Sequence, residues 1–299
     1  MTEGVAFAAC ICCGHSPLVP AFSVTDHSVS GETFRLLECS SCGFRYTEAA
    51  PDAAHIGPYY ASDNYISHTN TNRGIVNRLY QWARHFTLRQ KRRLVVKTTG
   101  MQQGSLLEVG AGTGFFAEAM LRAGWQVTAL EPDPGARRLA KERAALNLQP
   151  AEELYLLPAA SFDVITLWHV LEHVHDLSGY LQQFHRLLRP HGWLMIAVPN
   201  YQSKDATHYG PHWAAYDVPR HLYHFSPDAM DSLLTGHQFK LSQLRPMWLD
   251  AFYVSLLSEK YTSGKTRLLS GFLMGAMSNL TACFDKRKTS SLIYLSRKQ

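Results

Sequence analysis

Three groups of residues in this 299-residue chain have the types and spacing that chemistry requires. The first is an acid followed by alternate glycines, Glu108-Val-Gly110-Ala-Gly112-Thr-Gly114. Glycine tolerates positive φ and lets a ligand lie against the backbone with no Cβ in the way. A dinucleotide fingerprint needs G-x-G-x-x-G, yet position 115, where its third glycine would fall, is Phe. The pattern G-x-G-x-G therefore disfavours a pyrophosphate. Glu108, placed ahead of the glycines, can accept a hydrogen bond from a cationic amino group, which suits a cofactor bearing an amino acid. Glu131 follows Gly114 by 17 residues, and a carboxylate there can accept both hydroxyls of a ribose. Together these residues predict a nucleoside-type cofactor site.

The second group is Cys10-x-x-Cys13-Gly14 and Cys39-x-x-Cys42-Gly43, two knuckles whose first cysteines stand 29 residues apart. Four thiolates at this spacing, each pair followed by a glycine that permits the tight turn, suit a tetrahedral Zn²⁺. A shell closed by four thiolates stabilises a fold and leaves no position for a substrate. Cys12, inside the first knuckle, reads as a spectator, with an exchange against Cys10 or Cys13 left open.

The third group is histidine-rich. His169-Val-Leu-Glu172-His173 formally matches the H-x-x-E-H pattern of an inverted zinc protease. That chemistry needs both histidines one helical turn apart, whereas His169 directly follows an apolar strand. Residues 199–225 carry His208, His212, Arg220, His221 and His224 among Tyr and Trp side chains. Loops at strand ends carry specificity in open α/β sheets. Arg220 with the aromatics suits a planar or anionic acceptor, and His221 or His224 could take a proton from a hydroxyl nucleophile.

The elements that must hold these groups follow from periodicity. Ser105–Val109, Gln126–Leu130, Asp163–Trp168 and Trp193–Val198 read as buried strands, separated by helical patterns from Phe115 to Ala123, after Pro132 and Pro134, and from Leu177 to Leu188. That alternation predicts parallel α/β units. A final apolar run, Ser291–Ser296, reads as one more strand. A long helix is predicted from about Arg73 to Lys97, and Leu268–Phe284, 17 residues without a charge, reads as a buried or amphipathic helix too short to span a bilayer. Three regions result: a cysteine module at 1–48, a connector with the basic helix at 49–103, and an α/β domain at 104–299 with an acceptor loop at 199–225 and a helical insertion at about 250–287.

Composition agrees with a globular protein, 46% hydrophobic and 18% charged. Five of six cysteines are N-terminal and no signal peptide is evident, so a secreted disulfide framework is not expected and a cytoplasmic protein is. Net charge is +5, and the region from Asp63 to Glu108 holds eight of the basic residues with no acid between. Such a segment could attract an anionic substrate, nucleic acid or lipid head groups, or form a solvated helix face.

The glycine segment, Glu131-Pro-Asp133, the run Ser161–His173 and Leu188-Arg-Pro-His-Gly-Trp-Leu194 resemble class I S-adenosylmethionine-dependent methyltransferases. The likeness is strongest over residues 104–200 and is closest to a bacterial branch with an N-terminal cysteine module. It implies a Rossmann-like, doubly wound, mostly parallel sheet of seven strands and S-adenosylmethionine as cofactor. By the same resemblance the loop at Gly110, Gly112 and Gly114 holds the methionine part and Glu131 the ribose. Glu152 or Glu153 with Leu154 would flank the adenine, and Trp168 and His169 would line the pocket. Relatives often carry an Asp near the adenine amino group, and none stands in that stretch here. Quinone-forming relatives further imply that His169, Glu172, His173 and His175 could share a divalent cation; read from the residues, Glu172 and His173 are structural or shape the acceptor pocket, with His173 as a catalytic base the alternative. A small-molecule acceptor is expected. The alternatives are an RNA methyltransferase or RNA-binding protein using helix 73–97, and a non-catalytic cofactor-binding or interaction protein.

Overall fold

The structure is a computed structural model that describes residue 5, residues 7–60 and residues 75–299, the side chains of 75–82 excepted. The chain begins with the two cysteine knuckles and three short strands, β1 (Val19–Thr25), β2 (Thr33–Glu38) and β3 (Arg45–Thr47). Helix α1 spans Ile75–Thr99. Arg73, where the sequence places its start, lies outside the described residues, as do the side chains of Arg78, Leu79 and Trp82.

The α/β region then follows as β4 (Ser105–Val109), α2 (Phe115–Arg122), β5 (Gln126–Leu130), α3 (Pro134–Ala144), β6 (Phe162–Trp168), α4 (Leu177–Leu187) and β7 (Leu188–Pro199). Helix α3 begins where Asp133 accepts from the Gly135 and Ala136 amides, with Pro134 in the first turn, so its orphan donors are met at once. Strand β7 starts five residues before the expected Trp193. Phe162 pairs with Leu188 and Val164 with Trp193, so residues 189–192 bulge out of the ladder instead of forming a separate loop. The chain closes with α5 (Lys204–Tyr209), β8 (Tyr223–His224), α6 (Pro227–Gly236), β9 (Phe239–Pro246), α7 (Asp250–Ser263), α8 (Leu268–Phe284) and β10 (Ser291–Lys298).

The main sheet has the order β5-β4-β6-β7-β10-β9. The first four strands are parallel, and β10 runs antiparallel to both neighbours. It therefore has six strands among the described residues, one fewer than expected. At the outer edge of β5 the missing strand is reduced to a single bridge between Leu130 and Gln149. Pro150 follows immediately and has no N–H to extend a ladder, and the chain turns into a short 3-10 segment, Ala151–Tyr155.

Both faces of the sheet are covered, as a parallel sheet requires. Leu106, Val164, Met195 and Ile293 pack toward Val95 of α1 and Phe116 of α2. Leu107, Ile165, Ile196 and Leu292 enter a second cluster that also holds Cys10, Cys39, Phe44 and Tyr46. The cysteine region and the α/β sheet thus share one hydrophobic core. A second bond joins them: the small sheet has the order β1-β2-β3-β8, so Tyr223–His224 of the histidine-rich stretch supplies its fourth strand.

Arg220 ties the two together and corrects the expectation that it meets an acceptor. Its guanidinium is buried, 2.9 Å from Asp26 and 2.7 Å from Asp217, and it donates to the Tyr59 carbonyl at 2.8 Å. Burial opposes ionisation of Asp26, but Arg220 and the Ser30 amide outweigh it and hold the carboxyl well below its usual range. Because the folded pKa is depressed, this stability is present above the unfolded value of about 4 and is lost as pH falls through the folded one. Asp26→Asn is expected to cost about 3–5 kcal/mol at neutral pH. In urea titrations its deficit relative to wild type should shrink steadily below pH ~4; a deficit independent of pH would show that the pair is not what holds the two parts together.

Candidate functional site

The glycine loop sits at the carboxyl end of β4. Gly110, Gly112 and Gly114 all take left-handed conformations, with φ of 71°, 55° and 75°, but they serve different ends. A Cβ on Gly110 would come within 2.3 Å of Val170, and one on Gly114 within 3.0 Å of Leu146. These two glycines allow close packing. At Gly112 a Cβ would meet none of the described residues within 4 Å, so among the described residues this backbone faces open space. Its amide donates to Glu131 Oε2 at 2.7 Å, while Glu131 Oε1 accepts from the Asp133 amide at 3.0 Å. A bare stretch of backbone and a positioned carboxylate are what a ribose-bearing ligand needs, since a carboxylate accepts from hydroxyls.

Glu108 lies beneath this loop, buried, with Oε2 lacking any hydrogen-bond partner. Burial pushes its carboxyl up to about 8, against the opposing pull of Lys91. Lys91, from the basic helix, is itself brought down to about 8 by burial, opposed by Glu108 and Asp250. Its Nζ lies 4.4 Å from the centroid of the Trp168 ring, which also meets Phe116 edge-on. Trp168 and Lys91 thus form a cation–π pair, and Lys91 interacts electrostatically with Glu108.

The turn after β6 carries the histidines. His169 adopts φ 59°, a strained conformation for a residue with a Cβ and one that clusters at functional sites. Its Nε2 is 2.9 Å from Asp250 Oδ2 and its Nδ1 is 3.3 Å from Glu172 Oε1. Burial alone would depress this histidine, but the two carboxylates outweigh it and raise its pKa to about 10. His169 is therefore an imidazolium at neutral pH. Leu171–His173 forms a single 3-10 turn, so the helical geometry of an inverted zinc protease is absent.

Glu172, His173 and His221 converge, each offering one ligand atom within 4.8 Å of the others. His173 Nδ1 lies 3.0 Å from the Arg220 carbonyl, and His221 Nδ1 lies 2.9 Å from the Ala215 carbonyl. A carbonyl can only accept, so each Nδ1 is placed to donate there, and the Tyr60 hydroxyl lies 3.1 Å from the same His173 Nδ1. Burial, with His173 alongside, pushes His221 down to about 3. The set combines two imidazoles and a buried carboxylate. His175 is not part of it: its Nε2 lies 3.1 Å from the Pro51 carbonyl.

Other expected site residues fall elsewhere. His224 is enclosed, with Nε2 3.0 Å from the Thr47 hydroxyl, and burial lowers its pKa well below the ordinary value; it has no open face for an acceptor. Leu154 is wholly buried in the core, whereas Glu152 is exposed and Glu153 half-buried on the turn beside Gln149. Asp250 and Lys91 are the functional side chains that sequence reasoning missed. Asp250 belongs to no motif and lies 81 residues from His169; only the acid-free context of Lys91 singled it out.

Two clefts adjoin these elements. One of 280 Å³ is lined by Leu94, Met247, Trp248 and Ile293, with Lys91 and Asp250 among its polar groups. The other, 470 Å³ between α1 and α2, is lined by Arg84, Arg89, Arg92, Arg122 and Arg143. There Glu118 pairs with both Arg122 and Arg143, and Arg84 and Arg143 each stack on Phe115.

The cysteines are gathered as their spacing implies. The four sulfurs of Cys10, Cys13, Cys39 and Cys42 lie within 4.8 Å of one another, and Cys10–Cys42 and Cys13–Cys39 are both 3.5 Å apart. Metal–sulfur bonds of about 2.3 Å in a tetrahedron require sulfurs near this separation. The knuckles match each other: the Gly14 amide donates to Cys10 and the Gly43 amide to Cys39, at 2.7 and 2.8 Å. Cys12 points away and donates to the Ala229 carbonyl at 3.3 Å, which removes it from the set.

The chain is similar to known proteins in family and fold. A family described as methyltransferase domain matches residues 80–244. A ubiquinone biosynthesis O-methyltransferase of Xanthomonas oryzae pv. oryzae is 33% identical over 102 residues, covering 32% of this chain and 43% of that protein. Another, from Methylocella silvestris, is 36% identical over 102 residues, covering 32% and 40%. The chain thus spans less than half the length of these curated relatives. A structure of a SAM-dependent methyltransferase from Archaeoglobus fulgidus superposes with a TM-score of 0.50 at 15% identity, covering 72% of this chain and 94% of that one, which bears on the fold alone. With its family match extending over more than half of its length, the chain belongs to the methyltransferase-domain family, on the class I fold that binds S-adenosylmethionine.

Proposed function

We propose that this protein transfers the methyl group of S-adenosylmethionine to a hydroxyl of a small-molecule acceptor. The observation that carries the reading is the meeting of Gly112 and Glu131: open space over a bare backbone, with a carboxylate already in place beside it. Bound there, the cofactor would supply an electrophilic methyl. Glu108, with its unsatisfied oxygen, suits the amino group of the methionine part. The 280 Å³ cleft suits the acceptor, because Lys91 and Asp250 connect it to Trp168 and His169 at the end of β6. Much of the protein's task is to hold the acceptor in line and exclude water, which lowers a barrier by several kcal/mol. Curated relatives named as O-methyltransferases support a small acceptor with an oxygen nucleophile.

In this reading His173 is the proton acceptor, since its Nδ1 is anchored on the Arg220 carbonyl and its ring is only half-buried. His173→Gln is expected to lower kcat by roughly 10²–10⁴-fold with S-adenosylhomocysteine affinity unchanged by calorimetry. The assay is incorporation of radiolabelled methyl into fractionated cell extract. Full turnover by the variant would remove His173 from the chemistry. A second reading is favoured by the shared anchoring of His173 and His221: a carboxylate and two imidazoles, each held on a carbonyl through Nδ1, form a set suited to a divalent cation. Such an ion would orient an acceptor oxygen and favour its ionised form, and activity lost to a chelator and restored by added metal would support it.

We also propose that Cys10, Cys13, Cys39 and Cys42 hold a structural zinc, for which the observed sulfur positions are suited.

A further inference from the structure

Helix α8 packs in the reverse of the usual sense. Along its 17 residues, Leu268–Phe284, the buried positions are mostly small: Gly271, Gly275, Ser278 and Ala282, with Met274. Gly271 and Gly275 let the helix approach α7 closely, since a Cβ at either would meet Leu256 or Phe252 within 2.9 Å. The large apolar side chains point outward. Leu269 is 74% exposed, Leu273 58%, Leu280 60% and Phe284 88%, with Phe272 and Met277 beside them. At 3.6 residues per turn these positions share one face. A surface helix ordinarily does the opposite, and a contiguous apolar face of this kind marks an interaction site. Among the described residues the contact given at this face is at its margin, where Phe252 of α7 stacks on Phe272 at 4.9 Å.

Charge identifies what the face meets. The helix itself contains no Asp, Glu, Lys or Arg. Lys265 and Arg267 stand exposed just before it, and Lys286, Arg287 and Lys288 just after it. Arg287 is held by Asp228, which leaves cations at both ends of the apolar face. Asp285 is the one acid within the two flanks. A protein groove seldom presents acidic groups on either side of a wide apolar floor, whereas an anionic bilayer does so everywhere: phosphates at the surface and acyl chains just beneath. No described helix is long and apolar enough to cross a membrane, so α8 would lie in the interface plane.

We propose that the α8 face docks this protein peripherally on an anionic lipid bilayer, the Leu and Phe side chains entering the acyl boundary and the flanking cations meeting lipid phosphates. The proposal is independent of the acceptor and stands or falls without methyl transfer. The test is flotation of the full chain with vesicles of equimolar phosphatidylcholine and phosphatidylglycerol, compared with phosphatidylcholine alone. Wild type should float with the anionic vesicles, less so with neutral ones, and less as salt is raised. Leu269→Asp with Leu273→Asp should weaken binding by roughly a hundredfold, about tenfold for each large side chain kept from lipid. Both positions are exposed, so the melting temperature and S-adenosylhomocysteine affinity should not change. Lys265→Glu with Lys288→Glu should abolish the preference for anionic vesicles. Failure of wild type to float, or equal flotation by the Asp variant, would overturn the proposal. So would wild type eluting as a dimer that the Asp variant dissociates, with no vesicle binding, since the face would then join two copies of the chain.

Discussion

Gly112→Val is expected to abolish detectable binding of S-adenosylhomocysteine while leaving the protein folded. The reason is local. At φ 55° a β-branched residue is strained, at a cost of about 1–2 kcal/mol, which an ordinary domain of ~5–15 kcal/mol survives. Among the described residues no atom lies within 4 Å of the Cβ position, so the added carbons occupy space that a ligand would fill. Affinity should fall by roughly a hundredfold or more, about 2.7 kcal/mol. Glu131→Ala tests the other half of the cradle. It removes two acceptors for ribose hydroxyls, each charge-assisted bond contributing about 1.5–3 kcal/mol, and it also releases the Gly112 and Asp133 amides. Calorimetry with circular dichroism on both variants separates binding from folding. Wild-type affinity in Gly112→Val would place the cofactor elsewhere, whereas loss in both with native spectra would locate it between these residues.

Loss of metal should produce the second large effect. The purified chain is expected to carry one zinc, measured by elemental analysis, and Cys13→Ser or Cys39→Ser to lose it. In isolated zinc fingers the metal contributes on the order of 10 kcal/mol at neutral pH, comparable with the total stability of a domain. The consequence should not remain confined to the knuckles. Cys10 and Cys39 lie in the same core as Leu107 and Phe225, and β3 pairs with Tyr223–His224, two residues beyond His221. Metal loss should therefore loosen the histidine cluster and lower methyl transfer together with the melting temperature. Cys12→Ser, whose sulfur donates to the Ala229 carbonyl and lies outside the four-sulfur cluster, should retain the zinc. A chain that melts identically with and without chelator would show that the four thiolates hold no structural ion.

The strands β4 and β5, the glycine loop between them and the four clustered cysteines were legible in the sequence because each is a local statement. A glycine pattern, an apolar run or a C-x-x-C knuckle is specified within a few residues, so spacing alone reveals it. The seventh strand failed for a local reason as well, a proline directly after Gln149 where the edge ladder would have continued.

What only the tertiary structure decided is which distant groups meet. Arg220 looked like an acceptor-binding cation and is instead enclosed by Asp26, 194 residues away in sequence. His221 and His224 differ by three residues, yet one joins Glu172 and His173 while the other, on β8, is sealed against Thr47. Asp250 reaches His169 from a helix with no motif to announce it. The length and lack of charge of Leu268–Phe284 indicated a helix, but a charge-free stretch does not name its outward face. Here the close approach of Gly271 and Gly275 to α7 chose it. Local sequence sets conformation and the menu of side chains; burial and partners arise from long-range packing, and in this protein they determine which of those side chains remain available for chemistry.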